Sequence, residues 1–566
     1  MRRVTLAFAR KIAADRDYRA TLKRKVRSRA LSHWRRLVSP HPEYISVGGQ
    51  TIGPGRPVFV IAEIGVNHNG SVATAKRLVD AAKDAGAEAV KFQKRHLPAT
   101  YRADVLDHPE RHEQAFQYLV PLLKEFEFDE TAYRELAAHA ASRGLIFFAS
   151  AFDEPSVDFL SKFNPPLYKV ASADLVNLPL LERLVRERVP LIVSTGMATL
   201  DELDQAAAFL DRARVSYVLL HCQSTYPAPP DTLNLAMIPE LSRRYRVPVG
   251  YSGHELGIHH TLAAVAMGAC VIERHITPDR TLPGPDHAAS LEPNEFAELV
   301  RRIREFEVAR GVPTRRVSRG EVANRLALRK SLVAAVDIPA GTRITRPMVT
   351  AKGPGSGLSP QRLYDLVGQV AVRPISADEQ FTEGGLRPHA PPPRRLLPLS
   401  SKWGLKARFF ELDTLSRFEP QPKFFEFHVS EQDLDYPFDT SARYPQELYI
   451  HAPEYAGREV IDLAALDDGL WERSIAVMQR TIDKTRAIAK SFSGTPKVII
   501  HVGGMSITPV RNHRRLLARA EKAFGRLDTR GVEILPENLP PFGWFFSGQW
   551  RCNIFGAAEE MVEFCD

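Results

Sequence analysis

The chain has 566 residues, of which 44% are hydrophobic and 25% are charged, and these values are typical of a folded globular protein rather than a collagen-like or mostly disordered one. Its apolar stretches reach about eight residues, far short of the ~20 that a membrane-spanning helix needs, and its four cysteines are too scattered for a disulfide framework or a CxxC metal site. The net charge of +9 is local: residues 1–40 carry 13 Lys and Arg against two acidic residues, so this segment holds +11 and the other 526 residues sum to −2.

The basic segment forms an N-terminal arm over residues 1–42 that ends at Pro40 and Pro42. It lacks the apolar core of a secretory signal, so we expect a cytoplasmic protein. A solvated arm, a contact with an anionic membrane or acidic partner, and an Arg-rich targeting peptide remain alternatives for it. The near-neutral body argues against a nucleic-acid-binding protein, and we expect no transmembrane segment.

Eight short apolar segments alternate with amphipathic stretches between residues 58 and 277. Segments that are apolar throughout are typical of parallel strands buried on both faces. Eight β-then-α repeats predict a (β/α)8 TIM barrel over residues 43–312, within an α/β fold class. The predicted strands cover residues 58–65, 89–93, 145–150, 166–172, 190–196, 217–224, 247–253 and 270–277.

The pattern changes after the barrel. Short apolar pieces broken by turns predict a small β-rich domain over residues 326–387, and residues 388–398 form a proline-rich linker. Residues 399–566 return to α/β alternation and predict a partial TIM-barrel-like region, about three strands short of closure. Its predicted strands cover residues 424–430, 448–454, 497–504, 532–538 and 561–566.

Polar side chains follow the predicted strands of the first barrel, at the end where such barrels carry their active sites. Lys91, Lys169 and several hydroxyls converge there, as a phosphate or carboxylate anion would require. His254 and His275 end the seventh and eighth strands, and two imidazoles brought together can hold a divalent metal. The sequence therefore predicts an anion site beside a metal site at one barrel mouth.

Eight motifs stand in order along the predicted barrel: AEIGVNHNG (62–70), KFQ (91–93), YKVAS (168–172), STGMA (194–198), HCQSTYPAP (221–229), GYSGH (250–254), IERHIT (272–277) and GPDHAAS (284–290). Together they closely resemble the N-acetylneuraminate (sialic acid) synthase family, and residues 326–387 resemble that family's antifreeze-like (SAF) domain. The resemblance covers about 330 of the 566 residues.

The resemblance implies a transferase that forms a carbon–carbon bond between phosphoenolpyruvate and an N-acylated hexose similar to N-acetylmannosamine, giving a nine-carbon 2-keto acid and phosphate. It implies Mn²⁺ or Mg²⁺ on His254 and His275, with Glu63 steering water or stabilising a cationic centre. The residues it implies for phosphoenolpyruvate are Lys91, Ser150, Lys169, Ser172, Ser194, Ser224 and Ser252, and those for the sugar are Asp174, Tyr226 and Asp286.

Three positions depart from the family pattern. Ser224 stands where many members have Asn, Gly253 where Asp is frequent, and Gly353 where bacterial members carry an Arg that reaches the N-acyl group from the partner subunit of a domain-swapped homodimer. The resemblance implies such a dimer here too, but the missing Arg leaves the acceptor sugar open. A synthase acting on a different aldose and a catalytically inactive sugar-binding scaffold are the alternatives.

The C-terminal region carries a weaker resemblance. His451 with Glu454, His501, and Glu537 with Asn538 lie at the ends of its predicted strands. This looks like the start of a xylose-isomerase-like sugar-phosphate isomerase/epimerase barrel, whose metal is held by Glu, Asp and His. The later strands that would supply further ligands are missing, so a fused sugar isomerase and a truncated or structural barrel both remain open.

Overall fold

The computed structural model describes residues 43–382, 402–417, 420–545 and 548–565, and the predicted arm and linker lie outside these ranges. The described residues form two units, one that ends at Pro313 and one that begins at Thr314. The strands of the first unit are β1 (Ile45–Val47), β2 (Gln50–Ile52), β3 (Phe59–Gly65), β4 (Ala89–Lys94), β5 (Ile146–Ala151), β6 (Tyr168–Val170), β7 (Leu191–Ser194), β8 (Tyr217–Cys222), β9 (Val249–Gly253) and β10 (Val271–His275). Its helices are α1 (Val72–Asp84), α2 (Leu97–Thr100), α3 (Ala103–Asp107), α4 (Gln114–Phe126), α5 (Glu130–Ser142), α6 (Glu154–Ser161), α7 (Leu178–Leu184), α8 (Leu200–Ala213), α9 (Met237–Tyr245), α10 (His259–Ala266) and α11 (Pro293–Arg310).

Strands β3 to β10 close into a barrel in which every strand runs parallel to its neighbours. Closure is made by β10 and β3, where His275 lies opposite Glu63. The predicted (β/α)8 barrel is therefore confirmed, and each predicted strand overlaps an observed one. Parallel order places all eight carboxyl ends at the same mouth of the barrel.

The spacing of apolar residues explains which faces of the helices and strands are buried. On α1, Ser71 caps the first turn by accepting a hydrogen bond from the Thr74 amide (3.2 Å), and the buried residues recur at the spacing of one helical face. Inside the barrel, Phe59 and Val271 begin their strands and share an apolar cluster with the β1–β2 hairpin. The hairpin thus closes the end of the barrel opposite the polar mouth.

The second unit contains the small β-rich domain and an open parallel sheet. Its strands are β11 (Ser331–Ala334), β12 (Val349–Lys352), β13 (Gly404–Ala407), β14 (Phe424–His428), β15 (Glu447–His451), β16 (Tyr455–Ala456), β17 (Glu459–Val460), β18 (Ser493–His501), β19 (Met505–Ser506), β20 (Glu533–Glu537), β21 (Phe542–Phe545) and β22 (Gly548–Cys552). Its helices are α12 (Arg319–Leu328), α13 (Leu363–Leu366), α14 (Leu412–Leu415), α15 (Asp468–Ile488), α16 (His513–Phe524) and α17 (Ala558–Cys565).

In the small domain, β11 pairs antiparallel with β12, and isolated bridges such as Ile338–Ile375 extend the pairing around an apolar core. In the C-terminal part, five parallel strands pair in the order β13-β14-β15-β18-β20. The α/β character predicted for this region is therefore confirmed. The sheet begins with β13, a four-residue strand that is absent from the predicted ones.

The strand predicted over residues 561–566 is wrong, because residues 558–565 form helix α17. Met561 and Phe564, three residues apart, pack on the apolar cluster of Ile554 and Phe555, and this is helical rather than strand spacing. The Glu560 carboxylate also accepts a hydrogen bond from the Phe555 amide at 2.7 Å. Across the described ranges, no helix is both long and apolar enough to cross a bilayer.

Candidate active site

A cavity of about 370 Å³ lies at the barrel mouth, a volume within the range of small-molecule sites. Eleven of the thirteen site residues implied by the sequence line it: Glu63, Lys91, Ser150, Lys169, Ser172, Ser194, Tyr226, Ser252, His254, His275 and Asp286. The other two lie beside it. Ser224 Oγ is 3.7 Å from Sγ of the cavity residue Cys222, and Asp174 shares a short 3₁₀ turn with Ser172.

Two lysines and two glutamates form a buried network in the cavity. Lys91 Nζ lies 2.9 Å from Glu63 Oε2 and donates a hydrogen bond to Ser150 Oγ at 2.9 Å. Lys169 Nζ donates to Ser194 Oγ at 2.7 Å, and both ammonium groups lie 3.8 Å from Glu273 Oε1. Two fixed cations and their hydroxyl partners can receive an anion at little cost in reorganisation.

Burial and charge shift the ionisation of this network. Burial raises the pKa of Glu63 to about 7, against the opposing attraction of Lys91. Burial lowers the pKa of Lys169, whereas Glu273 and Glu63 hold the pKa of Lys91 above its ordinary value despite burial. Glu63 can therefore exchange a proton near neutral pH, as a general acid or base must.

The two histidines meet at the ends of β9 and β10. The imidazole centroids of His254 and His275 are 5.4 Å apart. His254 Nδ1 lies 2.9 Å from the Gln223 carbonyl oxygen, which can only accept, so Nδ1 carries the proton and Nε2 is free to act as a ligand. Burial lowers the pKa of His275 to about 4, and its Nδ1 is buried without a hydrogen-bond partner. A neutral imidazole with an unused nitrogen fits a metal ligand.

Two of the three residues implied for the sugar, Asp286 and Tyr226, lie beside this pair. Asp286 Oδ2 is 3.7 Å from His275 Nδ1, and the Tyr226 ring lies 4.2 Å from the His254 ring. Asp174 Oδ1 accepts a hydrogen bond from Asn177 at 3.0 Å, while Oδ2 is buried without a partner and burial raises the pKa of the carboxyl. A carboxylate oxygen without a hydrogen-bond partner can accept a hydrogen bond from a sugar hydroxyl.

Several cavity residues were not assigned a role from the sequence. Glu273 joins the two lysines, Gln93 Nε2 donates to Glu63 Oε1 at 2.8 Å, and Arg95 lines the cavity with a buried Nη1 that lacks a hydrogen-bond partner. Strand periodicity could have identified Glu273, because it lies two residues before His275 and so shares its face of β10. Arg95 follows β4 in a loop, where no periodicity applies.

The glycine at position 253 is explained by a neighbouring carboxylate. A Cβ there would lie 2.6 Å from Glu255 Oε2 and 3.0 Å from Arg274 Cδ. Arg274 is fully buried and donates to Glu255 Oε1 at 3.0 Å, to the Glu255 carbonyl at 2.7 Å and to Thr261 Oγ1 at 2.7 Å. This ion pair joins the residue after His254 to the residue before His275.

Comparison with known proteins gives matches over the first part of the chain. The sequence model of the NeuB family matches residues 78–315, and that of the SAF domain matches residues 329–387. N-acetylneuraminate-9-phosphate synthase of Mus musculus is 40% identical over 346 residues, which cover 60% of this chain and 96% of the mouse protein.

Two further relatives carry different names. N,N'-diacetyllegionaminic acid synthase of Campylobacter jejuni is 38% identical over 340 residues, covering 58% of this chain and all of that protein. The crystal structure of N-acetylneuraminic acid (sialic acid) synthetase from Leptospira borgpetersenii, in complex with citrate, is 34% identical, with a TM-score of 0.45, and covers 51% of this chain and 99% of that one.

Proposed function

Because the chain belongs to the NeuB family, we propose that it joins phosphoenolpyruvate to the aldehyde of an N-acylated hexose, forming a nine-carbon 2-keto acid and releasing phosphate. It is an enzyme that forms a carbon–carbon bond. The observation that carries the proposal is the meeting of Glu63, two lysines and two histidines in one cavity of a barrel whose sequence is 40% identical to a synthase.

Phosphoenolpyruvate would bind through its two anionic groups. Lys91 and Lys169 are the buried cations of the cavity, and each already holds a hydroxyl, Ser150 and Ser194 respectively. Ser172, Ser224 and Ser252 add further donors around the same space. The lysines would orient phosphoenolpyruvate so that its C3 carbon faces the acceptor aldehyde.

The reaction needs a group that takes a proton from water, and Glu63 can do so. As C3 attacks the aldehyde carbon, positive charge develops at C2; water adds there, the C2–O bond to phosphate breaks, and the former aldehyde oxygen takes up a proton. Glu63, with its pKa near neutral, would take a proton from the adding water at a carboxylate oxygen. Its negative charge also stabilises the cationic centre.

The histidine pair fits a divalent metal, with Mn²⁺ and Mg²⁺ as the expected ions. His254 and His275 would hold it, and the basis is the unpartnered Nδ1 of the neutral His275 together with the protonated Nδ1 of His254. When bound, the ion supplies Lewis acidity to the acceptor aldehyde. Asp174, Tyr226 and Asp286 would hold the sugar around it.

The identity of the acceptor sugar differs among the relatives. Two relatives of nearly equal identity are named for different products, one of them a 9-phosphate. Three carbons come from phosphoenolpyruvate, so a 9-phosphate product needs a hexose phosphorylated at C6. Arg95 is a cation in the cavity that could meet such a phosphate, and Gly353 removes the Arg that the family resemblance implied for the N-acyl group.

The decisive assay measures phosphate release from phosphoenolpyruvate with Mn²⁺ and a panel of N-acylated hexoses and their 6-phosphates. One acceptor should give turnover far above the rest. His275→Ala should abolish turnover and leave the fold intact, while His108→Ala, which removes an exposed imidazole of the same unit, should have no effect. No release with any acceptor, together with no binding of phosphoenolpyruvate, would favour the inactive sugar-binding scaffold.

Four further expectations stay predictions. They are the domain-swapped homodimer, a cytoplasmic location, a sugar isomerase in residues 399–566, and the domain bounds at 43–312, 326–387 and 388–398. The family matches end at residue 387, so they carry no argument for the isomerase.

A further inference from the structure

We propose that Asn67 is a positioning residue for the acceptor sugar, because it holds, through Ser290, the loop that carries Asp286 beside the histidine pair. The inference rests on the proposed function, in which Asp286 holds the sugar. Asn67 belongs to the motif AEIGVNHNG. Among the described residues it lies outside the cavity lining, so it acts through its neighbours rather than by touching substrate.

The loop in question is residues 277–290, which follow β10. The Thr277 amide donates to the Leu291 carbonyl at 3.0 Å, and this bond joins the two ends of the loop. Every residue of the loop is described, and its only helix is the 3₁₀ turn His287–Ala289. Asp286 comes directly before this turn, so the position of its carboxylate depends on the contacts that hold the loop in place.

The side-chain amide of Asn67 holds the end of this loop. Asn67 is 1% exposed, and its Nδ2 donates to the Ile276 carbonyl at 2.9 Å and to Ser290 Oγ at 2.8 Å. Ser290 Oγ donates in turn to the Asp286 carbonyl at 2.7 Å. A carbonyl oxygen can only accept, so the hydroxyl proton points to Asp286 and a hydroxyl lone pair faces Asn67. The side chain at position 67 must therefore be a donor for the chain of bonds to form.

A second amide of the same turn holds the middle of the loop. Asn69 Nδ2 donates to the Pro283 carbonyl at 3.1 Å, so Asn69 Oδ1 faces His287 Nε2, 3.0 Å away, and accepts its proton. The bond from Asn69 to Pro283 is exposed, whereas those made by the Asn67 side chain are buried. Water cannot replace a buried donor that is removed, so the loss of Asn67 should disturb the loop more than the loss of Asn69.

These bonds set the place of the Asp286 carboxylate in the cavity. Asp286 Oδ2 is 3.7 Å from His275 Nδ1. A Cβ on Gly65 would lie 3.5 Å from the same Asp286 oxygen and 3.0 Å from Glu63 Oε1, so the two carboxylates approach the same point of β3. Displacing a substrate-positioning group by about 1 Å can cost ~100-fold in rate. The hydrogen bonds from Asn67 therefore matter for the acceptor although Asn67 does not reach it.

The test compares use of the acceptor with binding of phosphoenolpyruvate in the full chain. Asn67→Asp keeps the shape of the side chain but cannot donate, and Asn67→Ala removes the donor without adding charge. Both should lower kcat/KM for the N-acylated hexose or 6-phosphate that turns over fastest, by about 10–100-fold. The Kd of phosphoenolpyruvate, measured by calorimetry without acceptor, should stay the same. Ser290→Ala should give the same result, because it breaks the link to Asp286 and leaves the bond from Asn67 to Ile276.

The control is Asn164→Asp, which makes the same exchange at an exposed position of the same unit and should leave both readouts unchanged. Circular dichroism identifies any variant that fails to fold, and Ser290→Ala decides the question if the Asn67 variants do so. Unchanged kcat/KM for the acceptor, or an equal loss of acceptor use and phosphoenolpyruvate binding, would overturn the proposal and leave the proposed function standing. No turnover of the unmodified protein with any acceptor would instead overturn the proposed function, and this inference with it.

Discussion

The buried pair of Arg274 and Glu255 offers a sharp test of how the barrel is held together. Arg274 has no exposed surface and Glu255 is 1% exposed. Replacing Arg274 by Met removes the donors to Glu255 and Thr261 and leaves a carboxylate buried without its cation. Breaking a buried pair in this way costs about 3–5 kcal/mol, so we expect the barrel's thermal unfolding midpoint to fall by about 5–10 °C.

Two further variants separate the effect of the unpaired Glu255 charge from other effects of the substitution. Adding Glu255→Gln to Arg274→Met removes the unpaired charge but keeps an acceptor for the Tyr251 hydroxyl, so at least half of the lost stability should return. Arg301→Met breaks an exposed pair with Glu298, 2.6 Å apart, and should cost less than about 1 kcal/mol. Thermal unfolding followed by circular dichroism measures all three. An Arg274→Met midpoint equal to that of Arg301→Met would refute the reasoning.

Three other perturbations have defined outcomes. In Gly196→Ala the new Cβ would lie 2.3 Å from Ser224 Oγ and 2.7 Å from Ser172 Oγ, so both hydroxyls must move. The KM for phosphoenolpyruvate should then rise about tenfold or more. An unchanged KM would show that these serines do not bind phosphoenolpyruvate. Burial lowers the pKa of His68 to about 3, so between about pH 6.5 and pH 3 the unfolded chain binds a proton that the folded chain does not. The free energy of unfolding should therefore fall as the pH drops through this range, by up to about 1.4 kcal/mol per pH unit. His68→Gln should reduce this dependence on pH, measured by denaturant titrations at several pH values. Deleting residues 1–40 should leave kcat/KM for phosphate release unchanged and shift the isoelectric point from basic to mildly acidic, and lost turnover would show that the arm serves catalysis.

The barrel could be predicted because its signals are local and repeated. Each strand is an apolar segment bounded by turns, and the polar residues that follow β9 and β10 fall at the same end of consecutive strands. The (β/α)8 topology then brings His254 and His275 together without any knowledge of side-chain packing. Helix α17 shows the limit of this reasoning, because a run of six residues with mixed apolar content fits either a strand or a helix until its packing partners are known.

The amino-acid sequence by itself determined the barrel, because strand order and strand ends follow from the spacing of apolar and polar residues, and its motifs carried the family resemblance that implied eleven of the residues lining the cavity. Only the tertiary structure decided which charges pair. Glu273 between two lysines, Arg274 on Glu255, and Glu537 between His451 and His501 each join residues from different elements. Such pairs depend on side-chain direction and on the distance between strands, and neither is encoded in the spacing along one chain.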